Sequence, residues 1–228
     1  MIDKDNKFLY VFVFLIILAI VYKYFLNRTH DVTMVYSPIT NKKYLVRNLP
    51  DKQQAADLLA NLNKRFDNLI NYLKSKNNFD LYKKYVKKDN TLNEDELSKS
   101  EKEEYKKFDK DIKRLIKNYN PDALSENTPD SKYTSYSENK GQKIVFCIRS
   151  KTTNQIVKLN TIMFVALHEF AHLMTKSIGH TDEFWENFKI LLRVAIINKL
   201  YNCKNYHESG QDYCGMKITD TPLKCEDV

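Results

Sequence analysis

The sequence predicts an α+β fold: a mostly helical domain with a small twisted sheet, preceded by one N-terminal transmembrane helix. Three observations lead there. Glycine and proline are scarce, at 4 and 5 of 228 residues, and long stretches carry apolar side chains at helical spacing. Two β-rich segments are each interrupted by a turn signal. The chain also begins with an apolar run, Phe8 to Tyr22, that has no polar stripe.

That run continues through Lys23, whose stem can snorkel, to Leu26. This is near the roughly 20 residues that cross a bilayer. Tyr10, Tyr22 and Tyr24 stand near its ends as interface anchors. No small-x-small cleavage site follows, so a retained anchor is expected rather than a signal peptide. Lys23, Arg28, Lys42, Lys43 and Arg47 follow the run, against Lys4 and Lys7 before it. The positive-inside rule then expects a single-pass membrane protein with its domain on the cytoplasmic side. Residues 1–27 form the expected anchor and 28–228 the domain.

The next segments follow in order. Val32 to Arg47 reads as a hairpin turning at Ser37-Pro38-Ile39-Thr40-Asn41. Leu49-Pro50-Asp51 opens a helix, with Gln54 in a capping arrangement, and Ala55, Leu58, Leu59, Leu62, Phe66, Leu69, Ile70 and Leu73 form its stripe to about Ser75. A short helix is expected over Phe79 to Val86. A longer one runs from about Leu97 to Tyr119, capped by Ser98 or Ser100 and ended by Pro121. Tyr133 to Ser137 and Lys143 to Arg149 are two strands about an Asn-Lys-Gly turn. A helix from about Asn160, its expected N-cap, reaches Thr175, and another starts near Thr181 with Phe184, Trp185, Phe188, Leu191 and Leu192 on its buried face. Trp185 is expected to be a core wedge.

The chemistry is concentrated in Val165 to Met174. His168-Glu169-Phe170-Ala171-His172 is an H-E-x-x-H motif in an uncharged run, and His180 follows eight residues later. Positions four apart share a helix face, so His168 and His172 can aim at one ion. Glu169 lies on the neighbouring strip, where a carboxylate can accept a proton from the attacking water. Gly179 permits a reversal that returns His180 as third ligand, leaving the fourth position of a Zn²⁺ site open. Asp182 and Glu183 are the alternatives, as ligand or as acceptor for a histidine N–H. Cys203, Cys214 and Cys225 lack the close pairs of a zinc knuckle and, with Cys147, stay unassigned. Tyr201, Tyr206, Tyr213 and His207 are equal candidates for an oxyanion donor.

Net charge is +8, but acids and bases alternate, as over Lys99 to Lys117, so a solvated surface is expected rather than a nucleic-acid partner. The expected partners are a protein or peptide substrate and, through the N-terminal helix, a membrane.

HEFAH followed by GHTDEFW resembles the zincin metallopeptidase core of the WLM and SprT-like group. Lys43 to Asp51, the I-V-F-C-I-R-S strand and Tyr213 to Asp220 are similar to segments of zinc metallopeptidases of large DNA viruses and algae. The resemblance implies a minimal zincin fold, zinc on His168, His172 and His180, Glu169 as base, and a host or virion membrane. The seven-residue gap between His172 and His180 is longer than in the WLM group, which directs the expectation away from DNA–protein crosslinks. The expected activity is therefore membrane-anchored, zinc-dependent peptide hydrolysis, with the substrate extended along the strand near Lys143 to Ile148. The alternatives are a non-enzymatic zinc protein of a membrane or virion, and a WLM or SprT-like protease acting on DNA-bound proteins.

Overall fold

Strands β1 (Val32–Ser37) and β2 (Lys42–Arg47) form the expected hairpin, with Val32 opposite Arg47 and Ser37 opposite Lys42. Asn41 takes the left-handed conformation at its turn (φ 56°), which Asn tolerates better than most residues. Alternation sends Tyr44 and Val46 inward. The structure, a computed structural model, describes residues 4–29, 32–128 and 131–228, and within the first helix the side chains of residues 10–24 alone.

Helix α1 (Lys4–Thr29) is present, and its described side chains are exposed. Among the described residues, however, no helix is long and apolar enough to cross a membrane. The uninterrupted apolar run of this helix is Phe8 to Tyr22, closed by the polar Lys23. That is about 20 Å of helix, against a hydrocarbon core of about 30 Å. The expected transmembrane anchor, the single-pass membrane location and the partnership with a membrane are corrected accordingly.

Helix α2 (Lys52–Ser75) buries Leu59, Leu62, Phe66, Leu69 and Leu73 along the predicted stripe. Its predicted cap does not form, because the Asp51 carboxylate is taken by Arg149. Asn77 caps α3 (Asn78–Tyr82), which runs into a π turn over Lys83–Lys87. Helix α4 (Lys99–Asn118) starts in a capping box: the Ser98 hydroxyl accepts from Glu101 N (3.3 Å) and Glu101 accepts from Ser98 N (3.0 Å). Helices α5 (Leu159–Met174) and α6 (Asp182–Ile197) follow. Lys158, not Asn160, occupies the N-cap of α5, while the Asn160 side chain pairs with the backbone of Asn202.

The main sheet has the order β1-β2-β3-β5-β4. Strand β3 (Leu124–Glu126) lies parallel to both β2 and β5 (Lys143–Phe146), and β4 (Tyr136–Glu138) closes the far edge antiparallel to β5. Two expectations change here. The strand at Lys143 to Phe146 is interior, so it has no free edge to offer; β4 has it. Strand β3 was not predicted, because three residues carry no readable alternation. Helix α5 lies between α4 and α6 and packs on α2, where Phe66 and Phe170 stack at 3.8 Å.

A second, two-stranded sheet pairs β6 (Gln211–Tyr213) with β7 (Met216–Ile218). Its two-residue turn holds Cys214 (φ 55°) and Gly215 (φ 81°), both left-handed as such hairpins require. A Cys-Gly turn lacks the usual Asn-Gly signal, so this hairpin was not predicted. The cysteines pair as Cys147–Cys214 and Cys203–Cys225. The first bond staples the hairpin to the strand leaving β5.

Candidate metal centre

Helix α5 is buried on nearly every face, as a run without charges requires. One strip of it, Phe164, Val165, His168, Glu169 and His172, lines a cleft of about 820 Å³. The chain leaves α5 at Thr175, reverses through Gly179 (φ 86°) and brings in His180. One nitrogen from each of His168, His172 and His180 falls within 4.8 Å of the others, and the Nε2 atoms of His168 and His180 are 3.1 Å apart. Zinc–nitrogen bonds of about 2.05 Å in a tetrahedron put nitrogens roughly 3.3 Å apart. The three imidazoles therefore have the spacing of a metal site.

Their protonation state suits the same role. Burial, and then the neighbouring His172 and His180, lower the pKa of His168 to about 3. Burial, His180 and Lys140 lower that of His172 to about 4. Both rings are neutral at pH 7, with a lone pair free to coordinate. Phe184, fully buried, lies under the cluster with ring centroids 4.8, 4.3 and 4.7 Å from His168, His172 and His180. The sequence placed Phe184 on a core face, and nothing in its spacing showed that it would be the floor of the site.

Glu169 is 6% exposed at the cleft wall. Burial raises its pKa to about 7, opposed by a hydrogen bond from Ser137. Ser137 belongs to β4, so the edge strand both lines the cleft and holds the carboxylate.

The end of α5 is tied down by side chains from two elements. Its last carbonyls lack helical partners and carry the negative end of the dipole. Asn118 donates to Leu173 O (3.1 Å) and Arg114 to Met174 O (2.5 Å), both from α4. Lys140, in the β4–β5 turn, donates to the carbonyls of Thr175 (3.1 Å), His172 and Ser177 (both 3.4 Å). That turn cannot move away or be padded: a Cβ on Gly141 would stand 2.6 Å from Asn118 O and 2.8 Å from a Leu173 methyl.

Of the two acidic alternatives, neither joins the cluster of His168, His172 and His180. Glu183 instead accepts from Lys176 N (3.1 Å), Ser177 N (3.2 Å) and the Ser177 hydroxyl (2.8 Å). It shapes the loop that delivers His180. Trp185 is 38% exposed and lines the cleft, 5.7 Å from the His180 ring, so it is a wall residue rather than a core wedge.

Among the candidates for an oxyanion donor, Tyr213 lines the cleft. Its hydroxyl is within hydrogen-bond distance of Ser135 Oγ (2.7 Å), and Cys147 N donates to that Ser135 oxygen (3.2 Å). Tyr201 and Tyr206 pack on Phe164 in the core, and His207 pairs with Asp220 at 2.9 Å.

Comparison with known proteins agrees with the motif. Residues 85–226 match the model of the WLM domain. The protein R325 of Acanthamoeba polyphaga mimivirus is 34% identical over 222 residues, covering 96% of this chain and all of that one. The protein 042R of Invertebrate iridescent virus 3 is 41% identical over 78 residues, 32% of this chain and 48% of that one. Wss1 from Saccharomyces cerevisiae, a solved structure, is 26% identical over 33% of this chain and 60% of that one, with a TM-score of 0.30. That superposition is too slight to bear on the architecture.

Proposed function

This chain belongs to the WLM domain family, and on that premise we propose that it is a zinc-dependent peptidase whose catalytic unit lies in residues 32–228. The observation that carries the proposal is the convergence of three imidazoles, with Glu169 on the helix that carries His168 and His172, in a cleft walled by an edge strand. His168, His172 and His180 would hold the ion; three protein ligands leave a coordination position for the reaction. Zinc, when bound, supplies Lewis acidity to the scissile carbonyl and acidifies water.

The remaining steps fall to the protein. Glu169 takes a proton from the attacking water and passes it to the leaving amine. Ser137 orients the carboxylate by its hydrogen bond. The free edge of β4 offers backbone groups to an extended peptide. Phe184 keeps water from the inner side of the imidazoles. Tyr213, held by Ser135, is the hydroxyl available to a developing oxyanion.

A purely structural metal site gains nothing from a buried carboxylate beside its ligands, so Glu169 favours the enzyme over a non-catalytic zinc protein. Action on DNA-bound proteins is compatible with the family; steeply salt-dependent DNA binding by this chain would select it.

The test is metal content by elemental analysis and cleavage of a peptide library, for the full chain and for Glu169→Gln. One zinc in both proteins with cleavage only in the wild type is the expected result. A wild type that takes up no zinc overturns the proposal.

A further inference from the structure

A second cavity, of about 300 Å³, lies on the sheet side of the molecule and shares no lining residue with the imidazole cleft. Its wall includes Arg47, Glu126, Asn127, Arg149, Lys151 and Asn154. The sequence singled out the segments around Arg47 and Arg149, and the proposed hydrolysis uses neither.

Arg149 is the centre of this wall. It is 2% exposed; its Nε donates to Glu126 (2.8 Å), and its Nη1 donates to Asp51 and to Asn154 O (3.4 Å). Nη2 is buried without a protein partner, a donor left unsatisfied at a cost in stability. Glu126 is already committed, accepting from Arg149 and from Arg47 N (2.6 Å). Among the described residues, the ion pairs of this wall all involve Arg149. Among the described residues, the Arg47 side chain donates only to the neutral Asn154 side chain (3.1 Å), and the Lys151 side chain only to Ser131 O (3.4 Å). Among the described residues, Arg47 and Lys151 thus face the cavity with no close ion pair of their own, although Arg47 also feels the charges of Glu126 and Asp51, and they stand beside a fixed guanidinium with a spare donor.

We propose that this cavity binds a phosphate-type oxyanion, held by the side chains of Arg47, Arg149 and Lys151. Guanidinium donors in fixed geometry match phosphate oxygens, and the bonds are charge-assisted. The volume, about 300 Å³, is enough for a phosphate group but not for a folded segment. The ion pairs to Glu126 and Asp51 hold Arg149 in place whether or not the anion is bound.

The test is a titration of the full chain with inorganic phosphate, followed by residue-resolved amide NMR at constant ionic strength in chloride. Saturable shifts at Asn127, Arg149, Lys151 and Asn154 are expected. Arg47→Ala should weaken the dissociation constant about tenfold, the loss of one charge-assisted contact. Lys151→Ala, at an exposed side chain that bears no fold, should weaken it severalfold. O-phosphoserine in a parallel titration separates the sources: tighter binding than phosphate assigns a monoester, and equal or weaker binding the free ion. Absence of saturation at tens of millimolar, shifts confined to His168 through His180, or an unchanged constant in both variants would overturn the proposal.

Discussion

Glu183→Gln isolates the loop that carries His180. In the wild type, one carboxylate oxygen accepts from Lys176 N, and the other accepts from Ser177 N and the Ser177 hydroxyl. An amide in the same place keeps one acceptor and turns an NH₂ toward a backbone N–H. A hydrogen bond to a charged group contributes about 1.5–3 kcal/mol, and partial exposure puts this one at the lower end. A loss of about 1.5–2 kcal/mol in loop order is roughly 10- to 30-fold in equilibrium. Because His180 reaches the other two imidazoles only through this loop, that loss should appear as weaker zinc affinity, measured by competition with a chelator.

Thermal unfolding of the metal-free protein should move little, since a surface loop opens without the core. The pH dependence gives an independent check. Burial raises the pKa of Glu183, but the Ser177 hydroxyl and the amides of Lys176 and Ser177 outweigh it and hold it below the ordinary 4.5. A depressed carboxylate stabilises the folded loop above pH 4.5 and ceases to do so as pH falls through its folded pKa. Hydrogen-exchange protection at Lys176 and Ser177 should follow that course in the wild type and be absent in Glu183→Gln. A zinc affinity in the variant within twofold of wild type would refute the reasoning.

Two further outcomes are expected. Lys140→Met removes the cation from the carbonyls of His172, Thr175 and Ser177, in the last turn of α5 and the loop after it, which should weaken zinc binding by about tenfold, with partial recovery in Lys140→Arg; chelator competition reads both. Cys147→Ser with Cys214→Ser opens a link of sequence separation 67 and should lower stability by roughly 4 kcal/mol, seen as an earlier midpoint in denaturant.

The legible part of this protein was the part written in local pattern. The stripe of α2, the Ser98–Glu101 capping box and the first hairpin each depend on residues within one or two turns of chain. The H-E-x-x-H spacing depends only on helical geometry, so His168, Glu169 and His172 could be named before any fold was known. The α1 run was read, by counting on through Lys23 to Leu26, as long enough to span a bilayer; its uninterrupted apolar part, Phe8 to Tyr22, falls short of that length, and among the described residues no helix is long and apolar enough. The edge of the sheet was misassigned for a different reason: Lys143 to Phe146 has strand composition whether it lies inside a sheet or at its margin. Only the placement of the three-residue β3 between it and β2 decided that β4 would face the cleft.

The same division separates motif from site. By itself the sequence named two candidate ligands and a candidate proton acceptor, because residue type and spacing on one helix suffice for that. Tertiary structure decided everything that required distant segments to meet. Glu183 serves the loop rather than the cluster, Phe184 floors the imidazoles, Lys140 clips the helix end and Arg149 closes on Glu126 and Asp51. Those contacts join residues up to 98 positions apart, and no periodicity along a chain encodes which of its charged and aromatic side chains will face one another once the core has formed.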